Sequence, residues 1–444
     1  MKKRRICIAA AVICLLLSGC TSLSLNGPDI LSPPKAEGNQ AEIQELIQKS
    51  GGKYEMVYPE NGEFKSSVVF RNLDDDEDEE AVAMYARDRD KDIINILIAD
   101  KKNDDYTLLM EGSIHASKID CVEFADFGTG AEQILISYPG SSAALQSLTM
   151  FTLGDECTQD DMINICAAHV VGDYNGDQTE DLLTLALADG ENLPTARLYI
   201  GKEGQLEEQS SCEISSQVKA YVSLSFGKIC DEVSGAVVDA TDADGNYSTQ
   251  IICYDYNARS VINPLYVNEG YEKTKRAAAV CSADIDRDGV IEIPLCEPME
   301  YSANEDDATV CDRIDWSSYQ YTQGSFDVKQ SAILCDKLGF LLNLPPEHAD
   351  IVTARYTGEN TMSVYLWEYK RNSPERSTKL LTVKRYDKES YDANTVLEAV
   401  AAENNTHVYT YVIDTEEGYY GYTDDEVKNN LVLIEDPTID DPQK

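Results

Sequence analysis

Histidine is scarce in this chain: four in 444 residues, with Trp at only two positions. Thirteen cysteines are present, yet none forms a C-x-x-C pair. Both facts argue against a zinc site, which draws on clustered imidazole and thiolate donors. His115, His169, His348 and His407 are scattered, and His115 and His169 flank strand-like segments where a structural role is expected. The sequence has no G-x-S-x-G, no H-E-x-x-H and no P-loop. Short signatures of acyl transfer, zinc proteolysis and nucleotide binding are therefore missing. Positive charge is also short: 37 Lys and Arg stand against 80 Asp and Glu, a net charge of −43. No nucleic acid partner is expected, because phosphate contacts require clustered basic side chains. The acidic excess suits cations, basic surfaces or solubility outside the cell. Beyond the N-terminus no apolar run is long enough to span a bilayer.

Hydrophobic residues still make up 43% of the chain, enough for a substantial core. The N-terminus reads MKKRRICIAAAVICLLLSGC. Lys2, Lys3, Arg4 and Arg5 precede an apolar run from Ile6 to Leu17, too short for a comfortable membrane span and suited to an export signal. Leu17-Ser18-Gly19-Cys20 resembles a bacterial lipobox. The resemblance implies cleavage ahead of Cys20, acylation of that cysteine, and anchoring on the extracytoplasmic face of the cell membrane. Residues 1–19 are thus expected to be a lipoprotein signal peptide. Residues 20–52 are expected to form a lipid-anchored tether, polar and rich in Pro and Gly, and a short helix. The helix covers NQAEIQELIQKSGG, with Asn39 as cap, Ile43, Leu46 and Ile47 on one face, and Gly51 as stop. Most cysteines past the anchor sit in strand-like contexts (IICYD, AVCSAD, PLCEP) and read as small buried hydrophobes. An exported location also permits disulfides.

From about residue 53 five stretches share one plan. They are SSVVFRNLDDDEDEEAVAMY from Ser66, CVEFADFGTGAEQILISY from Cys121, AHVVGDYNGDQTEDLLTLAL from Ala168, AYVSLSFGKICDEVSGAVVD from Ala220 and AVCSADIDRDGVIEIPL from Ala279. Each couples an apolar strand, a polar loop and a second apolar strand. The loops begin near Asn72, Asp126, Asp173, Ser225 and Asp284, and two more strand-like runs fill each interval. Four short strands in about fifty residues mark a β-propeller blade. One such sheet cannot bury both faces alone, while several packed around an axis can. A β-sandwich or a β-solenoid is the competing architecture. The expected fold is mainly β: a β-propeller of about five to seven blades over residues 53–335, then a small C-terminal α+β module over residues 336–444. In that module GFLLNLPPEHADIVTARY, TMSVYLWEY, TKLLTVKRY and HVYTYVI read as strands. SYDANTVLEAVAAE reads partly as a helix, and Thr423 with Glu426 as a capping box.

The polar loops carry the chemistry. An oxygen-ligand cation site needs alternating side-chain donors, a backbone carbonyl and a closing acid. Residues 284–292 supply all of these: Asp284, Asp286 and Asp288 as donors, Gly289 for the turn, the Val290 carbonyl, and Glu292 to close. Residues 173–181 offer Asp173, Asn175, Asp177, the Thr179 carbonyl and Asp181, with Gln178 where glycine would cost least. Residues 72–80 offer Asn72, Asp74, Asp76, the Asp78 carbonyl and Glu80, with Glu77 at the glycine position. Ca2+ is expected in these three loops, in a structural role, because protein oxygens fill the shell and leave little room for a substrate. The competing reading is an acidic hairpin without metal. In 126–134, Gly128 and Gly130 replace two donors, and the stretch from Ser225 has no acidic set. ARDRDKD (Asp88, Asp90, Asp92) and DATDADGN (Asp242, Asp244) also alternate acids, but they fall elsewhere in the repeat and read as hairpin turns.

DIDRDGVIEI, DYNGDQTEDLL and NLDDDEDEEAV resemble the FG-GAP/VCBS-type blades of integrin-α propellers and many bacterial surface proteins, over residues 53 to 330. Taken whole, the chain is also similar to a group of lipoproteins from clostridial-type Firmicutes. The shared features are the lipobox, an SPPK tether, acidic-loop repeats, the strand IDWSSYQY and a module opening GFLLNLP. No activity comes with that likeness. Propellers of the first family generally bind proteins or glycans or act as scaffolds. The resemblance therefore implies a calcium-stabilised binding or scaffold lipoprotein with a protein or glycan partner. The alternatives are an envelope assembly or sensing factor working through the C-terminal module, and a glycan hydrolase hidden among the abundant carboxylates. No catalytic residue stands out. Tyr419, Tyr420 and Tyr422 are either a sugar or protein contact or a packed turn.

Overall fold

The computed structural model describes residues 38–74, 78–102, 105–142, 145–154, 157–190, 192–267, 270–299, 311–366, 378–414 and 421–434. Cys20 and the tether, Asp76 and Glu77 of the first loop, Tyr419, Tyr420 and the tail from 435 lie outside them. Among the described residues no helix is long and apolar enough to cross a membrane.

The described chain is mainly β, in six antiparallel sheets that follow one another in sequence. Helix α1 (Asn39–Lys49) comes first. Sheet one holds β1 (Tyr54–Met56), β2 (Val68–Arg71), β3 (Glu80–Arg87), β4 (Asp90–Lys102) and β5 (Asp105–Ile114). Sheet two holds β6 (Cys121–Ala125), β7 (Gln133–Pro139), β8 (Gln146–Thr152) and β9 (Thr158–Cys166). Sheet three holds β10 (Ala168–Gly172), β11 (Asp181–Ala186), β12 (Thr195–Lys202) and β13 (Gln205–Glu213). Sheet four holds β14 (Ala220–Cys230), β15 (Val233–Thr241), β16 (Tyr247–Asp255) and β17 (Ser260–Ile262), followed by the single turn α2 (Pro264–Val267). Sheet five holds β18 (Ile293–Pro298), β19 (Asp312–Gln320), β20 (Ser325–Cys335) and β21 (Phe340–Asn343). Sheet six holds β22 (Val352–Gly358), β23 (Thr361–Leu366), β24 (Lys379–Asp387), β25 (Ala399–Glu403) and β26 (His407–Ile413). The chain then forms α3 (Asp424–Asn430) and returns to sheet five as β27 (Leu431–Leu433), paired with β21.

Successive sheets pack face to face, so the central strands are buried on both sides. That explains why β3 (EAVAMYAR) and the middle of β4 lack a clean polar–apolar alternation. Val82, Met84 and Ile96 of sheet one meet Val122, Ile134 and Ile136 of sheet two. The other face of sheet two sends Leu135, Leu148 and Met150 against Leu182 and Tyr199 of sheet three. Leu183, Leu185 and Leu198 then meet Ala236, Val238 and Ile252 of sheet four. Val237, Ile251 and Cys253 meet Ile293 and Tyr319 of sheet five, and Ile333, Phe340 and Leu342 meet Ala354, Val364 and Val383 of sheet six. Odd and even positions of one strand thus serve two different neighbours. Each fully buried aliphatic side chain contributes about 1.5–3 kcal/mol to that contact.

The two ends of the series differ. Ile43 and Ile47 of α1 cover the outer face of sheet one, over Ala81, Ala83 and Tyr85. The outer face of sheet six is polar: Thr353, Ser363, Thr382 and Thr410 are buried there, and Thr382 donates to Asp414 at 2.6 Å. Among the described residues no apolar cluster joins sheet six to sheet one.

Several expectations change. Asn39 does not cap α1; Gly38 holds the cap position without a side-chain bond, and Asn39 Nδ2 donates to Tyr106 Oη at 3.3 Å, which docks the helix. Ser225 to Lys228 lie inside β14, and the reversal comes at Asp231 and Glu232. Residues 279–282 form no strand, and Ala283 makes only a bridge to Glu292. Their backbone is held instead by a buried ion pair. Arg276 Nη2 lies 2.7 Å from Asp239 Oδ1, Arg276 Nε donates to the Val280 carbonyl, and Ser282 N–H donates to Asp239. Residues 390–398 are turns leading into β25, with no helix. The expected boundary at 335/336 falls between β20 and β21, which pair in one sheet. The capping box at Thr423 and Glu426 forms, with both reciprocal bonds present.

Candidate metal-binding loops

Four loops share one closure. The second residue of each donates its backbone N–H to the side chain that ends the loop. Leu73 donates to Glu80 at 2.6 Å, Phe127 to Gln133 at 2.8 Å, Tyr174 to Asp181 at 3.0 Å and Ile285 to Glu292 at 3.1 Å. No closing residue is more than 1% exposed. The second loop is one residue shorter than the frame 126–134 expects, so its closing residue is Gln133 rather than Ile134. Neighbouring repeats also touch at these loops. Arg71 pairs with Glu132, the Asp126 N–H donates to Glu180 Oε2 at 2.7 Å, and the Ile291 N–H donates to the Lys228 carbonyl at 2.9 Å. Gly201 lies against this seam, where a Cβ would sit 2.2 Å from the Glu180 carbonyl oxygen.

Loops 173–181 and 284–292 share four further backbone-to-side-chain bonds, to which 173–181 adds the Gly176 N–H donated to Asp173 Oδ1 at 2.7 Å. Asp173 Oδ1 accepts from Asp177 N–H and Oδ2 from Gln178 N–H; Asp284 accepts from Asp288 and Gly289 in the same way. Asn175 Oδ1 accepts from Asp177 N–H as Asp286 Oδ1 does from Asp288 N–H. Asp177 Oδ1 accepts from Thr179 N–H as Asp288 Oδ1 does from Val290 N–H. The backbone agrees: Gln178 and Gly289 have φ of 71° and 88°, the left-handed region where glycine is at ease and glutamine is strained.

The loops differ in what satisfies the closing side chain. Gln133 Nε2 donates to Thr129 Oγ1 and to the Ala131 carbonyl, both at 2.8 Å. Asp181 places one oxygen on Tyr174 N–H and the other on Gly201 N–H at 3.1 Å, and Asn175 Nδ2 donates to Asp177 at 2.9 Å. Glu292 Oε2 accepts from Ile285, while its Oε1 is buried with no partner among the described residues. Asp284, Asp286 and Glu292 each offer an oxygen within 4.8 Å of the other two. Asp173, Asp177 and Asp181 form no such convergent group.

Electrostatics follow from this. Burial raises the Glu292 carboxyl above its usual range, the Ile285 N–H opposes it, and Asp286, Asp288 and Asp284 add to it. Burial pushes Asp181 up to about 7 against the opposing N–H groups of Gly201 and Tyr174. A cation among these oxygens would reverse both shifts. In the first loop Asn72, Asp74, Asp78 and Glu80 are described and Asp76 is not.

Asp88 falls in the turn between β3 and β4. Asp242 lies between β15 and β16, its Oδ1 accepting from the N–H groups of Asp244 and Asn246, both at 2.9 Å. Tyr422 is buried, its ring 4.9 Å from that of His348. The sequence did not expose the role of Gln133; three acidic closures at matching positions elsewhere were the signal that could have found it.

No protein-family model matches the chain, and no curated protein matches it. Among solved structures, the crystal structure of a protein from Lactobacillus plantarum is similar at 9% identity and a TM-score of 0.27, over 68% of this chain and 81% of that one. A likeness at that level carries no argument about fold or function.

Proposed function

We propose that this chain is an extracytoplasmic lipoprotein, anchored through Cys20, that serves as a calcium-braced binding or scaffold protein for a protein or glycan partner. Its sheets are arranged in the manner of propeller blades. What supports that arrangement is the packing of each sheet between its predecessor and successor. The observation that carries the calcium assignment is the unpartnered, buried Oε1 of Glu292, on a carboxylate that converges with those of Asp284 and Asp286 in a loop whose backbone bonds a second repeat largely repeats. A buried carboxylate oxygen without a partner is costly, and a hard cation is the partner that an all-oxygen donor set selects. Loop 284–292 is the strongest of the sites, 173–181 the next, and 72–80 the third.

The test is thermal melting of the full chain with calcium and with chelator, followed by glycan-array and pull-down binding in both conditions. Melting that drops in chelator, with partner capture lost in parallel, is the expected outcome. Equal melting and no bound calcium would end the metal assignment. Turnover of a glycan substrate would replace the binding role with a hydrolytic one.

A further inference from the structure

A second group of metal-ligating side chains lies between sheets two and three, away from the acidic loops. Cys121 and Glu123 are alternate residues of β6 and so share a face. His169 comes from β10. Their sulfur, carboxylate oxygen and ring nitrogen lie within 4.8 Å of one another. His169 Nε2 is 2.7 Å from Glu123 Oε2, which is 3.9 Å from Cys121 Sγ. Cys166, at the end of β9, is buried and pairs in register with Gln146, which contacts His169. The imidazole is 4% exposed and the Glu123 side chain 33%, so the group is walled by protein yet open to solvent on one side.

The imidazole is held in one orientation. Gln146 Nε2 donates to Asp120 Oδ2 at 2.5 Å, and a carboxylate only accepts. Gln146 Oε1 therefore faces His169 Nδ1, 3.1 Å away, and accepts its proton. Nε2 is left pointing at a carboxylate oxygen. Two acceptors so close need a positive particle between them, either a proton or a metal ion. Holding Nδ1–H through an outer partner, so that Nε2 is free to ligate, is how metal-binding histidines are oriented. The donor types then select the ion. Sulfur and imidazole suit a borderline-soft cation of the zinc type, whereas Ca2+ takes oxygen ligands. Around a tetrahedral ion with bonds of about 2.0–2.3 Å, the donors would stand about 3.3–3.7 Å apart, so Glu123 and His169 need part by only roughly half an ångström or more.

We propose that Cys121, Glu123 and His169, with Cys166 beside them, form a zinc-class site that ties sheet two to sheet three. Cys121 Sγ, His169 Nε2 and Glu123 Oε2 are the ligands. Binding expels two protons, one from the Cys121 thiol and one from between His169 and Glu123. The site is independent of the calcium loops.

The experiment is a Co2+ titration of the full chain, reduced and saturated with calcium so that the oxygen sites are filled, read by the cobalt–thiolate charge-transfer band. The expected result is one Co2+ per chain, displaced by equimolar Zn2+. The band disappears in Cys121→Ser and is unchanged in Cys253→Ser, a buried thiol elsewhere in the fold. Gln146→Ala keeps every ligand and weakens binding by about 10–100-fold. Melting curves of each variant distinguish a lost site from a lost fold. No thiolate band in the wild-type chain, a band that survives Cys121→Ser, or a Cys121–Cys166 disulfide in the unreduced protein would overturn the assignment.

Discussion

The second loop closes on Gln133 and the fifth on Glu292, both buried and both accepting the N–H of the loop's second residue. One side chain is an amide and the other a carboxylate, and the surroundings differ accordingly. Around Gln133 the loop supplies acceptors, Thr129 Oγ1 and the Ala131 carbonyl, for the amide protons. Around Glu292 it supplies the Ile285 N–H and the carboxylate oxygens of Asp284 and Asp286. The same backbone closure is thus completed from within in one repeat and leaves one buried carboxylate oxygen unpartnered in the other, where the proposed cation would sit. Loop 173–181 is intermediate, since Tyr174 and Gly201 both donate to Asp181.

Exchanging the closing chemistry should break the second loop most severely. Gln133→Glu loses both amide donations and buries a charge, while Gly128 and Gly130 offer no side-chain oxygens. We expect a loss of about 3–5 kcal/mol in urea unfolding that calcium does not restore. Next in size is calcium itself. With calcium at 100 times Kd, each occupied site should add about 2.7 kcal/mol relative to chelator. Asp288→Ala should remove one such contribution and Asp244→Ala none, as melting in both conditions will show. A smaller effect is the pH dependence of the chelated protein. Asp181 is raised from 3.8 to about 7, so the folded chain binds that proton more tightly than the unfolded chain. The resulting stabilisation is complete below about pH 3.8 and is lost as pH rises through about 7. Allowing for solvent screening, it amounts to on the order of 2 kcal/mol. It should be absent from Asp181→Asn, and flattened in the wild-type protein by calcium. The smallest effect is Gln178→Gly, which relieves a left-handed glutamine and should stabilise by about 0.5–1 kcal/mol in the same urea assay.

The repeat was legible because the first three sheets carry the same strand–loop–strand phrase, and acidic residues at alternate positions stand out even in an acidic chain. Where strands were misplaced, a tertiary contact had replaced the ladder. Residues 279–282 look like a strand because they are apolar, but Arg276 and Asp239 hold their neighbourhood in another conformation. Gln133 was invisible for a different reason: an uncharged closure looks like any polar residue until Phe127 is seen to donate to it. The group of Cys121, Glu123 and His169 carries no metal-site spacing, since only Cys121 and Glu123 are close in sequence. It is assembled across two sheets by strand packing, so a search for neighbouring cysteines and histidines passes over it.

Calorimetric titration of the full chain with calcium, wild type against Glu292→Gln, tests the central claim most directly. The variant gives the fifth loop the closing chemistry of the second. It should lose the tightest calcium-binding heat while folding as well in chelator as the parent does. Unchanged heats in the variant, or none in the wild-type chain, would contradict the account.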